Sequence, residues 1–353
     1  MYNSFARICL VCGVLIAPIL AGNAFALDSP PALSQPSKTA ESTLSADLLK
    51  WKGKNYSEMS VAESIAYLKL LSDKTPHEIF EIWIMAGQNG DKEWHSVLGT
   101  TFSITLEKQP PDRDFQLELD QFLTNPNMPG GEKLELVSIL GNAATKESTE
   151  QLLKWSRMDL GVELSNAVIT ALSKIGREVG QYESRAERSL PLEREWVESH
   201  DPKMLSAVSQ SMAAIGSPTA IELLLKESLI ASREDSDRKT IALIALKQVS
   251  SDSATEIFAK VLKQQSSMNP TAELVSKALA NIGSPAASEA LVVWLQQSDD
   301  SVAPLAGQLV SNTRTTALLK AWDTALNGRT TFRSESVEKA IRDNLDDYRK
   351  GRK

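Results

Sequence analysis

Met212-Ala213-Ala214-Ile215-Gly216-Ser217-Pro218-Thr219-Ala220 and Ala278-Leu279-Ala280-Asn281-Ile282-Gly283-Ser284-Pro285-Ala286-Ala287 are two copies of one phrase. In each, an apolar helical run meets Ile-Gly-Ser-Pro and a second apolar run follows. Glycine suits a helix end that needs positive φ. Proline suits the first position of the next helix, where its missing N–H is harmless. The phrase therefore predicts a helix, a tight turn and a second helix. Anchoring on the small residue after each first helix extends the pattern. The anchors are Gly141, Gly176, Gly216, Ser250, Gly283 and a degraded Ser311, spaced 35, 40, 34, 33 and 28 residues apart. Repetition at 20–50 residues predicts stacked helix pairs, because one pair cannot bury its apolar face alone.

Working outward, the second helices align as well. Six residues past three of the anchors stand Glu222, Glu256 and Glu289, each leading an apolar pair. Lys226 and Lys260 follow the first two glutamates at i+4, and Glu150 precedes Lys154 likewise. That order of charges is the favourable one on a helix surface. The ladder reads either as a solvated, lysine-paired face or as an acidic groove for a basic partner. Trp155, Trp294 and Trp322 fall late in second helices. They read either as packing between repeats or as an aromatic strip anchoring a peptide or glycan. Residues 177–200 lengthen one repeat and are rich in Arg and Glu; they predict a long loop and a short helix through Trp196. Such insertions are loops, often on a binding face.

Residues 331–353 predict a terminal capping helix with Val337, Ala340, Ile341 and Leu345 on one side, ending in a small basic tail. Upstream, residues 44–128 predict a helical region of divergent repeats or a separate cap. Ser60 and Glu63 form a capping box before Val61, Ile65, Leu68 and Leu71, taken as one apolar face. Pro76 and Asp91 open the next two helices, and a fourth spans residues 114–123. Residues 27–43, with Pro30, Pro31 and Pro36, have the composition of a flexible linker.

Residues 1–26 have the form of a secretory signal peptide: Arg7, an apolar core over residues 8–20, and the cleavage site Ala24-Phe25-Ala26. The core is shorter than the roughly 20 residues of a membrane span. Both cysteines, Cys9 and Cys12, lie within it, so the mature chain has no disulfide and no thiolate ligand. Localisation is therefore expected to be periplasmic or secreted, with no membrane span after cleavage. The whole chain carries 38 basic and 45 acidic residues, a net charge of −7, and losing Arg7 makes it −8. That balance argues against nucleic acid as a partner.

The pattern Ala-Leu-x-x-Ile-Gly-Ser-Pro-x-Ala-x-x-x-Leu resembles HEAT-like repeats, especially the short bacterial form also found in phycobilin lyases. Residues 278–294 and 212–225 carry it most clearly. Over residues 129–330 the resemblance implies an all-α, right-handed α-solenoid of stacked antiparallel helix pairs. HEAT-like arrays mostly serve as protein-binding scaffolds, so it also implies a partner protein. Other HEAT-like activities fit poorly. The mature chain has no Cys to attach a tetrapyrrole. Of three histidines, His77, His95 and His200, only His77-Glu78 echoes the His-Glu pairs of HEAT-like diiron hydroxylases. No nucleotide-binding, hydrolase-elbow or zinc-protease motif occurs. The expectation is a non-catalytic scaffold with no cofactor and no metal. The alternatives are a glycan-binding module or an enzyme on an envelope polymer, with Glu193 and Glu195 as acid–base candidates. Paired carboxylates must flank the scissile bond, and spacing i,i+2 on a helix points these two apart.

Overall fold

The computed structural model describes residues 59–88, 90, 92–176, 184–229, 236–313, 315–328 and 331–351. The predicted leader (1–26), the predicted linker (27–43), Trp51, Asp91 and the last two residues of the chain lie outside them. The described residues are helical throughout, with no strand. None of their helices is long and apolar enough to cross a membrane. The chain divides into two compact units, residues 1–105 and 106–353. The fourth helix falls in the second unit.

The first unit holds α1 (Val61–Ser72), α2 (Pro76–Gln88) and most of α3 (Lys92–Lys108). The Ser60–Glu63 capping box forms as the sequence predicts. Thr75 and Glu78 make a second one at α2, through Thr75 N–H to Glu78 at 2.9 Å and Glu78 N–H to Thr75 at 3.3 Å. The apolar face assigned to α1 is corrected. Val61 and Ile65 are 58% and 42% exposed, while Ser64, Tyr67 and Leu71 are buried. Tyr67 decides the rotation, because its hydroxyl accepts the Trp94 indole N–H at 2.7 Å inside the unit. Phe80 packs on Phe102 at 5.6 Å. His95 stacks on Trp83 at 4.7 Å, so it packs within this unit.

The second unit opens with α4 (Arg113–Thr124), capped by Asp112. Helix pairs follow: α5 (Gly130–Ala143) with α6 (Lys146–Ser156), α7 (Val162–Leu172) with α8 (Arg185–Glu198), α9 (Pro202–Ile215) with α10 (Pro218–Leu229) and α11 (Ser236–Leu246) with α12 (Thr255–Leu262). Then come α13 (Pro270–Ile282) with α14 (Pro285–Gln297), α15 (Ala303–Ser311) with α16 (Thr316–Asn327), and α17 (Glu335–Gly351). Each odd-numbered helix from α5 packs on the next odd one as far as α17, and each even-numbered helix from α6 on the next even one as far as α16. Helix α17 covers α15 and buries Val337, Ile341 and Leu345, as a terminal cap should.

Pro218 and Pro285 start their helices, and Gly176, Gly216 and Gly283 have positive φ, as the repeated phrase predicts. Three anchors behave differently. Gly141 lies inside α5, where an added Cβ would come within 3.0 Å of Ala171 in α7. The left-handed residue ending α5 is Ala144, φ 51°. The Arg188 Nε–H binds its carbonyl at 2.9 Å. Ser250 follows a 3₁₀-like exit from α11, with Gln248 N–H to Ala245 O at 2.9 Å. Ser311 precedes Asn312 at φ −91°.

The lengthened repeat is also corrected. Residues 185–198 form the fourteen-residue helix α8, which packs on α6, α9 and α10. Its Leu192 and Trp196 are buried, and so are Arg188, Glu193 and Glu195. The remainder, residues 177–183, lies outside the described residues.

Polar side chains fasten successive repeats at their turns. Asn281 donates to Lys247 O at 2.8 Å, and Ser253 to Gly216 O at 2.5 Å. Asp252 accepts from the Ser284 hydroxyl of the next repeat and from Thr255 Oγ1. The hydrogen bond from Ser284, then that from Thr255, outweighs desolvation and holds the Asp252 carboxyl below its ordinary value of 3.8. A depressed carboxyl pKa contributes stability that is present above that ordinary value and lost as pH falls through the folded-state value. Asp252→Asn is therefore expected to melt below wild type at pH 6 and to converge with it in a thermal-melt series carried down to pH 2.5.

Candidate ligand groove

The residues singled out in the sequence fall in three settings. Glu222, Glu256 and Glu289 stand on α10, α12 and α14, all exposed. Among the described residues no ion pair joins Glu222 to Lys226 or Glu256 to Lys260. Lys154 turns away from Glu150 to pair with Asp120 of α4. Exposed charges on a helix gain little from pairing and lose side-chain freedom by it. The ladder is thus a solvated row of carboxylates.

Trp155, Trp294 and Trp322 are 0%, 3% and 0% exposed. Their indole N–H groups donate to Asp120 Oδ1 at 2.6 Å, Gln265 O at 2.7 Å and Thr313 Oγ1 at 3.0 Å. They pack between helices and form no exposed strip. A buried indole keeps its place only when its N–H finds an acceptor, and each has one.

Glu193 and Glu195 are buried in α8 and engaged separately. Glu193 accepts from Ser189 at 2.5 Å and Ser217 at 2.9 Å. Glu195 pairs with Arg157 at 2.5 Å. His200 is exposed, with Nδ1 3.1 Å from Glu198 O. Among the described residues no three of His, Cys, Asp and Glu gather where a metal could be held.

Concave space lies elsewhere, along the first helices. Helix α9 is packed by α7, α8, α10 and α11. Met204, Leu205, Val208, Met212 and Ile215 are buried, and so are the short Ser209 and Ser211. What reaches solvent is a narrow stripe of Lys203, Ser206, Gln210 and Ala214, spaced by three and four residues on one helix face. This stripe lies in a groove of about 580 Å³ between α7 and α11. Ile169, Ala207 and Ile241 supply apolar lining, Thr170, Ser173, Ser206, Gln210 and Thr240 supply hydroxyls and amides, and Pro202, Lys203 and Asp237 mark one end.

Past Gln210 and Ser173 the groove continues into a pocket of about 340 Å³ at the turns. Gly176, Arg185, Ala214, Gln248, Ser250, Ser251 and Asp252 line the rest of it. Arg185 leaves the first turn of α8 and fixes its Nη1 on Ile215 O at 2.8 Å, with Ser251 Oγ and Ser253 Oγ beside it. Both volumes fall in the range of ligand sites. The arrangement offers apolar contact, neutral hydrogen-bonding groups and one guanidinium.

Sequence reasoning looked to the second helices and missed this groove. The local signal was present in α9. In a helix that is apolar nearly all round, Lys203, Ser206 and Gln210 at helical spacing mark the only solvent-facing line. A scan against protein-family models and a search of curated proteins both return no match.

Proposed function

We propose that this chain is an exported, non-catalytic scaffold that holds an extended segment of a partner protein along its first helices. The proposed architecture is a right-handed α-solenoid of HEAT-like helix pairs, and the export signal is residues 1–26. Support for stacking comes from the packing of odd helices on odd and even on even. The observation that carries the binding reading is the α9 trough. Apolar lining beside hydroxyls and amides matches a peptide strand, which offers side chains and backbone N–H and C=O groups together. Among the described residues no aromatic ring lines the groove or its pocket, and this favours a peptide over a glycan. The carboxylates suggested for acid–base chemistry hold Ser189, Ser217 and Arg157 instead.

The test is crosslinking capture by the mature chain (residue 27 onward) in the cells that make it. One saturable protein partner is expected. It should survive the triple reversal Glu222→Lys, Glu256→Lys and Glu289→Lys, and be lost in Gln210→Arg at unchanged melting temperature. The triple reversal removes no ion pair and should shift stability by at most about 0.5 kcal/mol per site. A partner lost in the triple reversal and kept in Gln210→Arg would move the site to the second helices. Absence of any saturable partner would end the scaffold reading.

A further inference from the structure

The two parts of the groove differ in chemistry, and the difference gives it a direction. Its lining along α9 runs from Pro202 to Ala214. At 1.5 Å per residue that is about 18 Å, room for about five residues of extended peptide at 3.3 Å each. The Lys203 end carries opposite charges, Lys203 and Asp237, and is open along its apolar lining. The other end narrows to Arg185.

Arg185 is held but not used up. Its contacts with Ile215 O, Ser251 Oγ and Ser253 Oγ share the two N–H groups of Nη1. Among the described residues Nη2 and Nε make no hydrogen bond, and the side chain lines the pocket. Asp252 also lines the pocket and attracts Arg185 electrostatically, but among the described residues it makes no ion pair with it, and its Oδ1 accepts from Ser284 and Thr255. Gln210 and Gln248 add neutral amides to the pocket, and among the described residues no second cation lines it. A guanidinium edge flanked by neutral donors recognises a carboxylate in a two-pronged, planar contact.

Building on the peptide reading above, we propose that the groove takes a free C-terminus. The last five or so residues of a partner chain lie along α9, and the terminal carboxylate docks on the Nη2–Nε edge of Arg185. An internal segment would bring a neutral peptide group to that edge and forgo the charge-assisted, two-pronged contact.

The probes are two random-sequence pentapeptide pools, one ending in a free carboxylate and one in a carboxamide. Each is passed over immobilised mature protein, and retained peptide is quantified by mass spectrometry. The expected result is at least tenfold greater retention of the acid pool. Arg185→Gln should abolish that advantage, and Arg185→Lys, which keeps the charge without the fork, should leave only part of it. Because amidation changes the probe and not the protein, the first comparison holds whatever the variants do to folding. Equal retention of both pools, lost in Gln210→Arg, would overturn the carboxylate contact and leave the peptide groove standing. Retention of neither pool, or retention indifferent to Gln210→Arg, would overturn both.

Discussion

Gly176→Ala is expected to be among the most disruptive single substitutions in the chain, costing about 3–5 kcal/mol. Two independent effects combine. Gly176 sits at φ +87°, a conformation that costs an L-residue roughly 1–2 kcal/mol. An added Cβ would also lie 2.4 Å from Ile215 Cγ1, 2.8 Å from Ile215 N and 3.2 Å from Ile215 Cα. A side chain can rotate away, but this backbone is fastened. Gly216 N–H bonds Met212 O at 2.9 Å, and Arg185 holds Ile215 O at 2.8 Å. Relief would need α7 and α9 to separate. The melting temperature of the second unit should fall by about 10 °C. Gly131→Ala is the matched control: it lies in α5 with open space around its Cβ position and no positive φ. It should be neutral or stabilising by a few tenths of a kcal/mol to about 1 kcal/mol. Equal melting temperatures for the two variants would show that the first helices are not packed as closely as described.

Trp155→Ala should be comparably severe. The indole is fully buried in α6, and removing an aromatic ring from a core costs about 3–5 kcal/mol. The loss spreads beyond the cavity. Asp120 of α4 accepts from Trp155 Nε1 and Gln151 Nε2 and pairs with Lys154, three partners from one helix. This carboxylate fastens α4 to the first repeat. Trp155→Phe keeps most of the ring and loses the N–H. It should cost about 1–3 kcal/mol, the penalty of leaving a largely buried charged acceptor short of a donor. Urea unfolding of both variants, read against Asp120→Ala, separates cavity from hydrogen bond. If the hydrogen bond matters as argued, Trp155→Phe combined with Asp120→Ala costs less than the sum of the two singles.

The legible parts of the fold were those with local causes. Pro218 and Pro285 mark helix starts because proline tolerates few other places in a helix. Ser60 with Glu63 marks another because the capping box closes within three residues. The Val337–Ile341–Leu345 stripe reads correctly because α17 packs by one face only. The illegible parts depend on distant partners. Apolar Val61 and Ile65 carry no information that Tyr67 will be drawn inward by Trp94, 27 residues on. Helix α8 looks like a solvated insertion because it is dense in charge. Its buried Arg188 donates to the carbonyl of Ala144, 44 residues back. Its Glu195 is buried because Arg157, 38 residues back, offers a guanidinium. Gly141 looked like a helix stop and is instead a place where α7 approaches closely.

The candidate site follows the same division. A periodic ladder such as Glu222, Glu256 and Glu289 is easy to see in a repeat sequence, yet regular spacing on solvated faces creates no concavity. The groove needs α7, α9 and α11 side by side, together with an arginine from the first turn of α8, a helix read as a long loop and a short helix through Trp196. Lys203, Ser206 and Gln210 mark a solvent-facing line on α9, but nothing in that spacing shows that α7 and α11 flank it as walls.

The most direct measurement is site-specific photo-crosslinking of the mature protein in the cells that produce it. The crosslinking side chain is placed in turn at Ser206, Gln210, Gln248, Glu222 and Glu256. A partner adduct at the three groove positions, mapping to the last residues of the partner chain and absent at both glutamates, is the predicted result. Adducts at Glu222 and Glu256 with the groove positions silent would contradict the account.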